Sequence, residues 1–192
     1  MPLNRWNPFR RDPDEADAGR PYAAIVAQAR HPAFYAVCGV PDSIDGRFEL
    51  IALHAFLYLH RLKREQPQAG PLGQRFVNTM FTDFDRSLRE MGTGDLSVGR
   101  EVKRMAQAFY GRIDAYERGL AEDGAALNAA LGRNVFGTAP TAPANLDIMA
   151  DYLRRKVALL DAQPTAAVLA GEVRFGCPPA HEGVPAQAGD GR

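Results

Sequence analysis

Lysine is nearly missing from this 192-residue chain: of 23 Lys plus Arg residues only Lys63, Lys103 and Lys156 are lysine, so 20 are arginine. That bias, beside abundant alanine, glycine and proline, points to a GC-rich bacterial genome. Net charge is missing too, because 23 acidic residues balance the 23 basic ones. No global field draws the chain to nucleic acid or to an anionic membrane, so electrostatic recognition has to be local. Cysteine is scarce. Cys38 and Cys177 lie far apart, without metal or redox spacing, which excludes a disulfide framework and fits a reducing, cytoplasmic compartment. No run approaches the ~20 apolar residues that span a bilayer, and the N-terminus lacks the apolar core of a secretory signal. Paired alternating segments and internal repeats are absent as well. What remains is an all-α architecture, a single domain of six or seven helices, long enough to bury a sizeable core.

The segment Arg47 to Leu62 is apolar almost all round, through Phe48, Leu50, Ile51, Leu53, Phe56, Leu57, Leu59 and Leu62. Such a helix belongs at the centre of a bundle. Its polar residues Arg47, His54, Tyr58, Arg61 and Glu65 fall at helical spacing and are expected to form its one solvated edge. Ser43 or Asp45 is positioned to cap its start. Pro21 suits the first turn of a preceding helix, and Asn145 is placed to cap a late one whose inward stripe is Leu146, Met149, Leu153, Val157 and Leu160. Val173 and Phe175 read as a docked, strand-like tail. The expected organisation is an arm over residues 1–20, a helical domain over 21–178 and a disordered tail over 179–192. Trp6 and Phe9 among arginines suggest a membrane-surface anchor, but Asp12, Asp14, Glu15 and Asp17 follow at once and favour a loose arm.

Two long amphipathic helices meet at one charged corner. Met80, Phe84, Leu88 and Met91 repeat at helical spacing before it, and Val98, Val102, Met105, Phe109, Ile113, Tyr116 and Leu120 after it. Gly92 and Gly94 supply the backbone freedom for the turn. Asp95 or Ser97 is placed to cap the second helix. Tyr110 reads either as an exposed recognition anchor beside a basic stripe or as a ring packed under a neighbouring helix.

Catalytic patterns are not found. Asp83 and Asp85, two apart on a helix, point about 200° from each other. The glycines at 92, 94 and 99 do not fit a dinucleotide fingerprint, and no nucleophile elbow or His-Glu-x-x-His run occurs. His54 and His60 lie on different helix faces and cannot share a metal. No enzyme, metal or cofactor is expected.

In order, the Asp-Phe-Asp triplet from Asp83, the Leu-Arg-Glu-Met-Gly run to Gly92, the Gly-Asp-Leu-Ser-Val turn and the Met-Ala-Gln-Ala-Phe-Tyr-Gly-Arg helix to Arg112 resemble the ubiquinol-cytochrome c chaperone family. The resemblance runs from about Tyr22 to about Pro179. It implies an assembly factor that binds newly made cytochrome b before it enters the cytochrome bc complex (complex III). It also implies a possible small partner subunit, the ribosome, and peripheral contact with the cytoplasmic face of the inner membrane. On this resemblance the client-binding candidates are Asp83, Asp85, Arg89, Glu90, Gly92, Gly94, Asp95, Lys103, Tyr110 and Arg112. Thr93 and Phe84 depart mildly from the family pattern. A general helical adaptor for another soluble protein, or a bundle with a quinone or haem pocket, stays open beside it.

Overall fold

A computed structural model describes residues 15–122, 124–137 and 139–179, with side chains from Ala18 onward. Trp6, Phe9 and the expected tail beyond Pro179 lie outside the described residues. Helix α1 (Glu15–Ala29) begins within the stretch expected as an arm and carries Pro21 in its interior. The fully buried Ala18 shows why: packing against the bundle extends the helix one turn and more ahead of the proline. The single turn α2 (Ala33–Ala36) follows Pro32.

Helix α3 (Ile44–Lys63) starts at Ser43, whose extended backbone lets its hydroxyl accept from the Gly46 N–H at 3.1 Å. Ser43 is therefore the cap, and Asp45 lies in the first turn, where negative charge meets the positive helix end. Leu50, Leu53, Phe56 and Leu57 are at most 1% exposed, with α1 and three later helices, over residues 70–90, 95–121 and 143–161, packed around them. The central position of α3 is as expected; its solvated edge is not. Arg47 is exposed, but His54 and Tyr58 are fully buried and Arg61 is 3% exposed. Neighbouring helices cover that edge and supply hydrogen-bond partners for His54 and Arg61, whereas the buried Tyr58 hydroxyl has none among the described residues. The Arg61 guanidinium donates to the carbonyls of Leu160 at 2.9 Å and Gln163 at 3.3 Å and pairs with Glu65, so it closes the carboxyl end of the helix that finishes at Asp161.

Helices α4 (Gly70–Glu90) and α5 (Asp95–Ala121) form a hairpin. Gly92 takes φ +87°, which only glycine adopts freely. Gly94 does not: at φ −62° and ψ 145° it is an extended helix-start residue, and neither Asp95 nor Ser97 caps α5 through a side chain. Phe76, Met80 and Phe84 are buried as their spacing predicts, and Val98, Val102, Phe109 and Tyr116 continue the stripe. Met91, placed by its spacing on that stripe, lies past the last turn and is 55% exposed.

Helix α6 (Gly124–Leu131) runs into a wide π turn (Gly132–Phe136) that ends at Gly137, φ +59°. Gly119 lets α5 cross α6 closely, because a Cβ there would sit 2.8 Å from the Leu127 Cα. Helix α7 (Pro143–Asp161) opens on Pro143; Asn145 sits inside its first turn and its side chain lies over Gly39 instead of capping. The turn α8 (Thr165–Leu169) precedes the tail. Val173 and Phe175 are buried, and the Gln163 amide holds the Arg174 backbone from both sides, at 2.7 and 3.1 Å. Among the described residues there is no strand.

Candidate functional site: an open cleft beside the helical corner

The middle of α3 carries a closed polar knot. The His54 Nδ1–H donates to the Leu50 carbonyl at 2.7 Å, so Nε2 accepts from the Tyr152 hydroxyl at 2.8 Å, and that hydroxyl accepts from Gln28 at 3.0 Å. The rings of Phe34, Tyr152 and Phe175 stand edge-on around the imidazole at 5.1–5.7 Å. Burial pushes the His54 pKa down to about 4, keeping it neutral, and raises the Tyr152 hydroxyl above its ordinary value. Lys156 lies over the Tyr152 ring and donates to the Cys177 carbonyl, which fastens the tail across the knot. The knot is saturated and sealed.

The first two turns of α3 are different. They form one wall of a cleft of about 580 Å³, whose other walls are the end of α4, the flank of α5 and the π turn. Ile44, Phe48, Leu88, Met105 and Val135 give it apolar surface. At its floor Glu49, 6% exposed, is gripped side-on by Arg112, with Nε at 2.5 Å from Oε2 and Nη2 on Oε1. The guanidinium also lies over the Phe48 ring, 5.5 Å from its centre. Burial raises the Glu49 carboxyl above its ordinary value, although the arginine opposes it. Arg112 itself is held above its ordinary value because the Glu49 hydrogen bond and charge together outweigh its partial burial. Glu101 and Arg104 pair at 2.9 Å on the rim, and Arg133 stands exposed on the π turn.

The ten sequence candidates divide among four places. Asp85, Arg89 and Asp95 converge: Arg89 bridges the two carboxylates at 2.6 and 2.5 Å across the corner, beside exposed Glu90, Gly92 and Gly94. Asp83 turns away to α1, accepting from the Tyr22 hydroxyl at 2.8 Å and pairing with Arg86. Lys103 and Tyr110 lie on the outer face of α5, about 200° from the cleft-lining Glu101, Met105 and Arg112. Tyr110 is half-buried beside Phe109, between its two expected positions. Of the ten, Arg112 alone lines the cleft.

Sequence reasoning missed Ile44, Phe48, Glu49, Met105 and Arg133 as site residues. Glu49 had a readable signal. It is the one acid between Arg47 and Leu62 on the central helix, and an ionised side chain there demands a buried partner. Two exposed apolar side chains at the corner, Met91 at 55% and Leu96 at 98%, and Ile44 at 68% on the cleft mouth, extend the apolar surface outward. Among the described residues no helix is long and apolar enough to cross a membrane, and no group of three or more His, Cys, Asp or Glu side chains is placed to hold a metal ion.

These features define an all-α bundle with an open amphipathic cleft next to a charged helical corner. Residues 36–175 match the family model described as ubiquinol-cytochrome C chaperone. Ubiquinol-cytochrome-c reductase complex assembly factor 1 of Xenopus laevis is 28% identical over 142 residues, covering 74% of this chain and 71% of that protein. Its Mus musculus counterpart is 28% identical over 157 residues, 81% of this chain and 53% of that one, so this chain spans about half the mouse protein. The crystal structure of the Cbp3 homolog from Brucella abortus superposes with a TM-score of 0.74 at 40% identity, over 83% of this chain and 88% of that one. The chain belongs to the ubiquinol-cytochrome c chaperone family.

Proposed function

We propose that this protein is an assembly chaperone that binds newly synthesised cytochrome b and holds it until it enters the cytochrome bc complex. The observation that carries the reading is the cleft: apolar walls open to solvent, with fixed charges at floor and rim, in a chain whose family members are named for assembly of the ubiquinol-cytochrome c reductase complex. A client membrane protein before insertion exposes apolar helix faces next to charged ends, and such a cleft covers both. The Asp85–Arg89–Asp95 corner extends the same surface toward charged client loops. The protein acts by reversible binding, so release comes from client folding, haem insertion or exchange with a partner, and no catalysis is required. Work at the cytoplasmic face of the inner membrane, near the ribosome, with or without a small partner subunit, belongs to the same proposal.

The test places a photo-crosslinking residue at Ile44, on the cleft mouth, and at Arg155, on the outside of α7, in respiring cells. Cytochrome b recovered from position 44 and not from 155 is the expected result. Recovery of soluble proteins alone from position 44 would replace the chaperone reading with a general helical adaptor.

A further inference from the structure

The cleft's hydrogen-bonding groups are not balanced, and this bears on what it recognises. An arginine has five donors and no acceptor, whereas a carboxylate accepts through two oxygens. Arg112 spends one N–H of Nε and one of Nη2 on Glu49, and both oxygens of Glu49 are engaged. Its remaining N–H groups stay uncommitted at the floor. Arg104 is joined to Glu101 through Nε alone. Arg133 makes no hydrogen bond or ion pair among the described residues. On the acceptor side Asp45 is the one lining carboxylate without a partner, and it sits at the mouth in the first turn of α3. Donors therefore outnumber acceptors along an otherwise apolar wall of Phe48, Leu88 and Met105.

The floor pair itself argues for recognition. Taking Glu49 and Arg112 out of water costs about as much as their attraction returns, and two apolar residues of similar volume would hold α3 to α5 as well or better. What the ion pair adds is orientation. It fixes the guanidinium over Phe48 in the lining of the cleft, with Nη1 not engaged by Glu49.

Building on the proposed client-binding role of this cleft, we infer that its occupant is the carboxyl-terminal turn of an amphipathic helix that carries an acidic residue. Such a turn presents apolar side chains together with carbonyls that have no partner within the helix, and its side-chain carboxylate adds a bidentate acceptor. Arg133 and the free edges of Arg104 and Arg112 receive the oxygens, and Phe48, Leu88 and Met105 receive the apolar side chains. Glu49 is a positioning residue that acts through Arg112. A helix amino-terminal end, with its free N–H groups, meets a donor-rich wall and is refused.

The test uses the full chain and two fluorescein-labelled amphipathic peptides of about 18 residues, identical except that one ends in Leu-Leu-Glu with a free carboxylate and the other in Leu-Leu-Gln amide. Fluorescence anisotropy is expected to show the acidic peptide binding about tenfold more tightly. Arg133→Gln, at an exposed position without a hydrogen bond or ion pair among the described residues, is expected to remove about fivefold of that preference and to weaken the amide peptide by much less. Glu101→Gln, which releases Arg104, is expected to move affinity the other way and tighten the acidic peptide. Equal binding of both peptides, insensitive to both substitutions, overturns the inference while cytochrome b crosslinking from position 44 leaves the client reading standing. Loss of crosslinking together with no binding of either peptide overturns both.

Discussion

One helix, α3, carries polar groups at two places with opposite outcomes. At His54 each polar atom finds a partner, the aromatic rings of Phe34, Tyr152 and Phe175 close over it, and no donor is left for a ligand. At Glu49, about a turn and a half earlier, the partner is an arginine with donors to spare, and the roof is missing. The contrast teaches that buried polarity on a core helix does not mark function. The proposed binding role rests instead on unspent hydrogen-bonding capacity beside open apolar surface. A saturated knot specifies the packing of α1, α3, α7 and the tail, while a half-spent pair under a cleft leaves something for a second molecule.

The largest expected effect comes from opening the knot. Phe34→Ala removes a fully buried ring from contact with both His54 and Tyr152 and is expected to destabilise the fold by about 3–5 kcal/mol in urea unfolding. Breaking the floor pair comes next. Arg112→Leu leaves Glu49 buried without its cation and is expected to cost about 3 kcal/mol or more, whereas Glu49→Leu with Arg112→Leu is expected to recover most of that loss and still abolish peptide preference. Recovery of both stability and preference in the double variant would erase the distinction between the two sites.

The pH dependence sharpens the same comparison. Folded His54 stays neutral until about pH 4, while the imidazole of the unfolded chain protonates near its ordinary 6.5. Between those values the unfolded state binds more protons, so stability falls as pH drops through that window and is whole above it. The contribution is about 3 kcal/mol, read as urea midpoints at pH 7 and pH 4. His54→Gln is expected to flatten that slope. The smallest structural effect belongs to the corner. Reversing Asp85 and Arg89 together, or replacing Leu96 by Asp, is expected to leave the unfolding midpoint unchanged, since these groups lie at the surface. Either change is expected to lower cytochrome b accumulation in cells, and unaltered accumulation would remove the corner from the client surface.

Helix positions were legible because the apolar stripes of α4, α5 and α7 repeat at 3.6-residue spacing, and the central place of α3 followed from its having almost no polar face. Ends were harder. Ala18 draws α1 past Pro21, and Gly94 and Asn145 take backbone roles that their residue types did not announce. The edge His54–Tyr58–Arg61 looked like a solvated face because its spacing is amphipathic, and spacing cannot say which helix will cover it. The corner motif was readable because it is local: Asp85, Arg89 and Asp95 lie within 11 consecutive residues.

The cleft was not legible in that way. Its walls come from the stretches 41–49, 101–112 and 133–137, with Leu88 and Ala139, and each is ordinary by itself. By itself the sequence determined the all-helical class, the helix pairing at Gly92 and the family resemblance, because these rest on residues close together along the chain. Tertiary structure alone decided that Glu49 meets Arg112 across 63 positions, that His54 is sealed under Phe175, and that Lys103 and Tyr110 face away from the cleft. Those outcomes depend on how helices are rotated against one another, and that rotation is fixed by the packing of the whole core.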